Sequence, residues 1–530
     1  MSSKIFKISA VAATVAASFA ANAALYNVYK YDDSSAVQTY GVAISPVTAD
    51  GQVNCFDPLD PSGVECTKDT SDIAYEGKRY PEGFQYRDES PFLVNFGFDY
   101  IDQGDNVYDN FRSYCYNYLG YTDSLCENWA NSQYTNGYAN EFENSDINNS
   151  KAYLENSDVQ SAQGNVIVNS IDASGEPVGN YQTSTRRNTA YAGTDTFTDG
   201  DRSRAWAQYT DGSDVYTVGS VSTKYGSASD YTSKAAIWKG TTLTSVAWDS
   251  AAVRDRVMPQ GSARDITKVS STLYAVGYNS DGDERLRASV FSSTDGNTWT
   301  STFVSGFDGG DRDLDNYLNS SLTAVSENGV AVGTYKLRDV VSNGAYSNGL
   351  FYVTDVANPT AKVFSGDIFF TGANGLIGGI NKYDEVVGSV DFETHREVDG
   401  QPRAQRGFIT QLTTKAQAPL QGKAWYLDDL TYGGDALASN NDYRIIQAGD
   451  INDAGVIAAT AYYCEGGYAS DAIDAACSGS SKLVAVKLVP ISGSTAITKR
   501  PVETSTVERQ GGTLGFFALT LLGLLGFRRK

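Results

Sequence analysis

Short apolar runs separated by polar turns recur through the middle of the chain, and they predict β-strands. A turn rich in Asn, Asp or Ser is followed by a valine-rich run of four or five residues that closes on a glycine. Residues 380–388 are the clearest copy, and residues 325–333 are another. A reversing turn before a β-branched run is typical of a hairpin strand, and the closing glycine suits a bulge or a close backbone approach.

The closing glycines of five copies are regularly spaced. They are separated by 40, 58, 56 and 55 residues and stand at Gly179, Gly219, Gly277, Gly333 and Gly388. A polar loop and a second apolar strand, such as residues 349–352, follow each phrase. A period of roughly 40 to 60 residues is typical of blade-type β-repeats. The pattern therefore predicts an all-β fold, a β-propeller-like array of six or seven antiparallel blades over residues 165–491.

The region before these repeats, residues 24–164, has a different composition. It is rich in Tyr, Asn, Asp and Ser, and it contains four of the six cysteines. Residues 40–53 have the pattern of an early, divergent repeat with a turn at Asp50 and Gly51. We expect one divergent first blade and a disulfide-clipped insertion.

The N-terminus has the pattern of a signal peptide over residues 1–23. Lys4 and Lys7 precede an apolar stretch of small residues, which ends in Ala-Asn-Ala at positions 21–23. This is the pattern that signal peptidase reads, so we expect cleavage between Ala23 and Ala24 and export of the protein.

The C-terminus has a second targeting pattern. A polar linker, residues 492–510, leads to Gly511 and Gly512, an apolar run over 514–527 and a basic end. Fourteen helical residues span about 21 Å, which is short of the roughly 30 Å hydrocarbon core. Residues 511–530 are therefore either a short tail anchor or a sorting signal that is later removed.

The six cysteines form three close pairs in sequence. Their separations are 11, 11 and 13 residues, in the order Cys55, Cys66, Cys115, Cys126, Cys464 and Cys477. Spacing alone does not select one of the fifteen pairings of six cysteines. Local bridges are the economical expectation for an exported chain.

The net charge of −22 and the pI near 4.5 exclude some partners and admit others. Nucleic acid and anionic lipid would be repelled, so we expect no nucleic-acid partner. Asp311, Asp313 and Asp315 alternate in one loop and could converge on a hard cation, which makes them candidates for a weak calcium site. The alternative is a solvated acidic loop between blades. No other cofactor is expected.

No catalytic signature stands out in the sequence. His395 is the only histidine and lies in a charged loop, the cysteines are expected to be bridged, and the usual nucleophile, phosphate and zinc motifs are missing. We therefore expect that the protein is not an enzyme but a surface-displayed or secreted binding module for an unknown extracellular ligand. The alternative is a polysaccharide hydrolase with paired carboxylates, which would need two acids about 5 to 9 Å apart between aromatic walls.

Three resemblances add to this interpretation. Residues 293–299 resemble a shortened Asp-box, a structural turn of propeller blades, or form a plain Asp-Gly hairpin. The phrase at 380–388 and the strand at 236–244 resemble the HAF repeat of bacterial extracellular proteins, which implies a propeller-like body. The last twenty residues resemble the GlyGly-CTERM sorting signal, and the ensemble looks like an uncharacterised secreted family of marine gammaproteobacteria. This resemblance implies removal of the tail by a rhombosortase-type protease and export by type II secretion machinery.

Overall fold

The computed structural model describes most of the chain between Ala24 and Glu503. The described residues are 24–46, 55–56, 66–79, 107–116, 122–131, 135, 149–186, 188–225, 231–249, 252, 258–282, 285–307, 317–337, 348–395, 403–413, 419–420, 422–494 and 496–503. They form seven antiparallel four-stranded sheets arranged as the blades of a β-propeller, in which the innermost strands of successive blades contact one another around a closed ring. The predicted all-β propeller is confirmed, with seven blades.

The strands follow one another blade by blade, from the innermost strand outwards. Blade 7 takes its outermost strand, β1 (Tyr26–Tyr31), from the start of the chain. Blades 1 to 3 are β2 (Gln38–Ile44), β3 (Ile73–Lys78), β4 (Ser150–Leu154), β5 (Ser157–Asp158); β6 (Gly164–Ile171), β7 (Pro177–Gln182), β8 (Thr189–Ala192), β9 (Asp195–Phe197); and β10 (Arg202–Asp211), β11 (Asp214–Lys224), β12 (Tyr231–Lys239), β13 (Thr242–Val246). Blades 4 to 7 are β14 (Gly261–Val269), β15 (Thr272–Ser280), β16 (Leu286–Ser293), β17 (Thr300–Phe303); β18 (Tyr317–Val325), β19 (Ala331–Leu337), β20 (Asn348–Val353), β21 (Ala361–Val363); β22 (Gly375–Ile380), β23 (Glu385–Asp391), β24 (Gln405–Gln411), β25 (Trp425–Tyr426); and β26 (Tyr443–Ile451), β27 (Ile457–Cys464), β28 (Ser481–Pro490).

The hydrophobic core lies between neighbouring blades. Each cluster of buried apolar side chains combines residues of two adjacent sheets, such as Val178 of blade 2 with Trp238 of blade 3, or Val218 of blade 3 with Phe291 of blade 4. Each blade has two apolar faces and needs a neighbour on each side to cover them. The sheets therefore pack face to face around a central axis.

The ring is closed by the N-terminal strand. β1 pairs antiparallel with β28, from Tyr26 opposite Pro490 to Tyr31 opposite Ala485. The buried side chain of Asn440 bonds to the backbone of β1. Its Oδ1 accepts the Val28 N–H at 3.1 Å, and its Nδ2 donates to the Tyr26 carbonyl at 2.8 Å. The first and last strands of the propeller therefore share one sheet, so the blades cannot separate without breaking it.

Every innermost strand has a β-bulge at the same level. The register against the second strand shifts around one extra residue, which is Val42, Asn169, Trp206, Arg264, Thr323, Gly378 or Gly449 in blades 1 to 7. The closing glycines, which belong to the second strands, lie directly opposite these bulges. A Cβ added at Gly277 would collide with the Ser262 carbonyl, and one at Gly388 with the Leu376 carbonyl. The repeated glycine is therefore the partner of the bulge.

Long connections gather on the face where the innermost strands begin, here called the loop face. It carries the connections 79–149, 392–404, 427–442 and 465–480. Two short helices, α1 (Val107–Tyr114) and α2 (Asp123–Ala130), lie in the first, and α3 (Leu427–Leu430) and α4 (Leu437–Asn440) lie in the third. No helix in the described ranges has the length and apolar content that a membrane crossing requires.

The three predicted disulfide bonds are confirmed. Cα–Cα distances are 5.5 Å for Cys55–Cys66, 5.4 Å for Cys115–Cys126 and 5.6 Å for Cys464–Cys477. The second bridge joins α1 to α2, beside an ion pair between Arg112 and Asp123 at 2.7 Å. All three close local loops, two of them on the loop face.

The described end of the chain packs against the loop face of blades 6 and 7. The Arg500 side chain is buried, its backbone N–H donates to Asp429 Oδ1 at 2.8 Å, and its Nη1 donates to Asn441 Oδ1 at 2.7 Å. The Pro501 carbonyl accepts the Ile473 N–H of the Cys464–Cys477 loop at 2.8 Å. The first part of the predicted linker is therefore anchored to the propeller.

Candidate functional site

Two aspartates stand at equivalent places on innermost strands. The residue directly after the bulge is Ala43, Ser170, Ala207, Asp265, Ala324, Gly379 and Asp450 in blades 1 to 7, all of them described. Five of these side chains are small and neutral, whereas blades 4 and 7 each have a carboxylate. These positions lie on the innermost strands, which contact one another around the ring, so the difference between blades lies next to the ring's axis.

Asp265 is held by its own strand and by the next blade. Its Oδ1 accepts the Ile266 N–H and its Oδ2 accepts the N–H of Val325, the last residue of β18, both at 2.8 Å. Burial raises the pKa of Asp265 to about 7, against the lowering effect of these two backbone donors, and the charge of Asp450 raises it further. Asp265 is therefore partly protonated at neutral pH, unlike an ordinary aspartate.

Asp450 repeats this geometry in blade 7. Its Oδ1 accepts the Ile451 N–H at 2.8 Å, and its Oδ2 accepts the N–H of Ile44, the last residue of β2, at 3.1 Å. Its carboxylate lies over Gly379 of blade 6, where an added Cβ would stand 2.6 Å from Oδ1. The glycine in blade 6 therefore leaves the space that this carboxylate occupies.

The two carboxyl groups belong to blades on nearly opposite sides of the ring. Blades 4 and 7 are three steps apart in a ring of seven, as nearly opposite as this ring allows. The charge of Asp450 nevertheless raises the pKa of Asp265. The two carboxyl groups therefore interact electrostatically, although they belong to blades on nearly opposite sides of the ring.

An aromatic ring and a guanidinium lie beside Asp265. The Arg264 guanidinium carbon is 3.8 Å from the centre of the Trp206 indole and 5.6 Å from the centre of the Tyr278 ring. Blade 2 fixes the Trp206 backbone, because Asn169 Nδ2 donates to the Ala205 carbonyl at 2.7 Å and Ser170 Oγ donates to the Trp206 carbonyl at 2.8 Å. The innermost strands of blades 3 and 4 therefore bring a carboxyl group, a guanidinium and an indole to neighbouring positions.

The candidates predicted from sequence lie elsewhere. His395 is in the loop 392–404 with 41% of its side chain exposed, and its Nδ1 is 3.6 Å from Glu393 Oε2. The calcium candidates Asp311, Asp313 and Asp315 fall outside the described residues, as do Ala23, Gly511 and Gly512. Ala24 is buried beside blade 7. Within the described ranges, no group of three His, Cys, Asp or Glu side chains has the arrangement of a metal site.

The Asp-box resemblance has a structural counterpart. Asp295 Oδ1 accepts the backbone N–H groups of Asn297 and Thr298 at 2.8 and 2.7 Å and the Ser293 hydroxyl at 3.0 Å. These bonds hold the pKa of Asp295 well below its usual range. The turn joins β16 to β17 on the face opposite the loop face, so Asp295 stabilises a hairpin and does not belong to the channel.

Asp265 and Asp450 were not among the candidates predicted from the sequence. They are 2 of 63 acidic residues, and no motif surrounds them. A signal was nevertheless present. In the hairpin of the first and second strands, Asp265 lies opposite Val276, the residue before the closing glycine Gly277. Asp450 lies opposite Ala458, which holds the same position in blade 7. Comparing the copies at this position would have shown two acids among small residues.

Several solved structures are similar to the chain in fold. A GH32 β-fructofuranosidase of Bombyx mori is 14% identical, with 46% of this chain and 59% of that chain covered and a TM-score of 0.25. A glycosyl hydrolase from Bacteroides ovatus is 11% identical, with 55% and 86% covered and a TM-score of 0.28. Sucrose-6-phosphate hydrolase from Lactobacillus gasseri is 12% identical, with 62% and 84% covered and a TM-score of 0.27. The chain thus spans less than two thirds of the Bombyx mori enzyme.

These structures correct the expectation that the protein is not an enzyme. That expectation followed from the lack of a catalytic motif, yet the similar structures include glycoside hydrolases and a mannose phosphorylase. At such low identity the likeness concerns the fold alone, and a fold shared with enzymes gives no ground for excluding catalysis. No curated protein matches the sequence.

A family profile matches the second half of the chain, over residues 261–530. The match begins at Gly261, the first residue of β14. It includes blades 4 to 6 and the three inner strands of blade 7, with both Asp265 and Asp450. Because the match covers more than half of its length, the chain belongs to DUF3466, a family described as proteins of unknown function.

Proposed function

We propose that this protein is a hydrolase that cleaves a polysaccharide in its central channel, with Asp265 and Asp450 as its acid pair. The observation that carries the proposal is the position of these two carboxyl groups, which stand after the bulge in nearly opposite blades while the other five blades have small neutral residues there. Glycosidases need two carboxyl groups that flank the scissile bond.

The different surroundings of the two groups suggest their roles. Asp265, with a pKa of about 7, is partly protonated at neutral pH. Its protonated form would donate the proton to the glycosidic oxygen as the bond to the anomeric carbon breaks. Asp450 would take a proton from a water molecule whose oxygen attacks the anomeric carbon from the opposite side. The sum is addition of one water, and the two carboxyl groups exchange protons with solvent afterwards.

Hydrolysis by matched variants tests the proposal. Release of reducing ends from a panel of neutral polysaccharides is measured for the full chain and for Asp265→Asn, Asp450→Asn and Asp195→Asn. Asp195 lies exposed on β9 and serves as the control for loss of one acid. We expect at least a hundredfold loss in both channel variants and none in the control. Equal activity of all four proteins would rule out the acid pair.

We also propose that the protein is exported, released near Ala24 by signal peptidase and near Gly512 by a rhombosortase-type protease. Three disulfide bonds in the described chain support export, because such bonds persist in oxidising compartments. The test is the intact mass of protein recovered from the culture medium. Protein that retains residues 514–530 would mean that the tail is a permanent anchor.

A further inference from the structure

The last described segment of the chain, residues 496–503, crosses the loop face of blades 6 and 7 and is called the strap here. The buried side chain of Arg500 holds its middle. The Arg500 Nε donates to the carbonyl of Asp428 in α3, and its Nη1 donates to the carbonyl of Asp471 in the connection 465–480, both at 3.1 Å. One guanidinium thus joins the strap to two separate connections of the loop face.

The strap is also fixed at its start and at its end. Ile497 packs against the apolar cluster between blades 6 and 7. The Glu503 N–H donates to Asp474 Oδ1 at 2.7 Å, and the Glu503 Oε1 accepts the Ser470 hydroxyl at 2.8 Å. The Glu503 side chain is exposed, so the chain leaves the propeller from the loop face at this residue.

The strap limits the length of chain between the propeller and the C-terminal apolar run at 514–527. The 8 residue steps from Glu503 to Gly511 can span at most about 29 Å. Without the strap, the free chain would begin near Gly493, whose N–H donates to the Phe56 carbonyl at 2.9 Å. The 18 steps from there could reach about 65 Å. The strap therefore shortens the free tether more than twofold.

We propose that the strap turns the loop face of blades 6 and 7 towards the lipid bilayer while the C-terminal tail holds the protein at a membrane. The proposal rests on the export and the tail removal proposed above, and it adds the surface of the propeller that faces the lipid. A chain with a net charge of −22 is not drawn to an anionic bilayer, so the short tether and not attraction sets this orientation.

Energy transfer from a donor dye to an acceptor on lipid headgroups tests the orientation. The full chain is reconstituted through its tail into phosphatidylcholine vesicles. The dye is attached to an azide-bearing amino acid that replaces either Ser478 on the loop face or Thr294 in the turn on the opposite face, and both positions are exposed. Because the loop face is tethered within about 29 Å of Gly511, we expect about twofold more transfer from position 478 than from position 294.

Three variants separate the tether from the fold. A flexible insertion of about twenty Gly and Ser residues after Glu503 leaves every contact of the strap in place and should abolish the difference between the two dyes. Arg500→Gln loosens the strap and should reduce the difference. The matched control is Lys499→Gln, which removes the neighbouring, exposed cation and should leave the difference unchanged.

Hydrogen exchange measures the docking of the strap directly. The Ile473 N–H is bonded to the Pro501 carbonyl, and the Glu503 N–H is bonded to Asp474, so both amides depend on the docked strap. Arg500→Gln should speed their exchange about tenfold and leave the amides of β15 unchanged. Lys499→Gln should change neither set. Unchanged exchange at Ile473 in Arg500→Gln would overturn Arg500 as the anchor of the strap.

Vesicle binding and orientation are separate measurements, so the two proposals can fail separately. Protein that does not stay with the vesicles would overturn the membrane tail and the orientation together. Protein that stays with them but transfers equally from both dyes would overturn the orientation alone. A difference that persists in the insertion variant would also overturn it, because the body and not the strap would then set the orientation.

Discussion

Asp265 and Asp450 have the same backbone position but different neighbours. Asp265 follows Arg264, which is stacked on Trp206, whereas Asp450 follows Gly449 and lies over Gly379. One carboxyl group thus sits beside bulky side chains and the other beside bare backbone. Carboxyl groups in unlike surroundings take unlike protonation states, which is the condition for an acid and a base in one site.

The raised pKa of Asp265 has a consequence for stability. Its pKa of about 7 in the folded protein exceeds the roughly 3.9 of an unfolded aspartate, so its contribution to stability is fully present below pH 4 and is lost as pH rises through 7. The loss amounts to at most about 4 kcal/mol. We expect Asp265→Asn to gain stability relative to wild type between pH 4 and 7, as measured by urea unfolding. A constant difference across this range would contradict the assigned pKa.

The contact between Gly379 and Asp450 gives a second prediction. Alanine is accommodated at the equivalent place in blades 1, 3 and 5, at Ala43, Ala207 and Ala324. In blade 6 an added Cβ would stand 2.6 Å from Asp450 Oδ1, so Gly379→Ala should cost about 2 kcal/mol and displace the carboxylate. In an Asp450→Ala background we expect most of this cost to disappear. An unchanged cost in this double-mutant cycle would show that the backbone, and not the carboxylate, requires the glycine.

At the scale of the element, the repeated phrase encodes a bulge and its partner. The valine run forms a strand, as predicted, and this strand is the second of its blade. Its apolar side chains fill the cores on both of its faces. The reason for the closing glycine could not be predicted. It depends on a carbonyl of the preceding strand, such as that of Ser262 opposite Gly277, and this carbonyl approaches only because that strand is bulged.

Substitution of one closing glycine tests this explanation. Gly277→Ala would place a Cβ against the Ser262 carbonyl, which has no room to move within a paired strand, and should lower the free energy of unfolding by about 3 kcal/mol. Gly240→Ala is the comparison, because Gly240 has a positive φ of 56° and open space around it. Its cost should stay near 1 kcal/mol. Equal losses in chemical denaturation would mean that conformation alone, and not the close approach, selects glycine.

The candidate site was less accessible to sequence analysis than the fold. The period of the phrase predicts blades, and the spacing of cysteines predicts local bridges, because both depend on neighbours along the chain. Asp265 and Asp450 are 185 positions apart in sequence and share one level of the molecule only because the blades repeat around a closed ring. Trp206 gains its place in the same way, from a bulge in a third blade. Such juxtaposition has no local signature.

At the scale of the whole molecule, closure joins the two ends of the chain in blade 7. Asn440 is fully buried, and its amide bonds to Val28, Tyr26 and Thr431. Asn440→Ala would leave these backbone groups unsatisfied and should cost about 3 kcal/mol, with faster hydrogen exchange in β1. Asn156→Ala, in the exposed turn of blade 1, should change stability by less than about 0.5 kcal/mol. Unchanged exchange in β1 would show that closure does not depend on this side chain.

Closure also brings the acids of blades 4 and 7 to one channel, so the function proposed here belongs to the complete ring. The most direct measurement is the pH dependence of kcat/KM for hydrolysis of a neutral glycan by wild type and by the Asp450→Asn variant. We predict that wild-type activity falls above about pH 7, as Asp265 loses its proton. Burial is the main cause of the raised pKa of Asp265 and the charge of Asp450 adds to it, so the residual activity of the variant should fall at a somewhat lower pH. A folded protein that hydrolyses none of the neutral glycans, or a basic limb that does not move in the variant, would contradict the account.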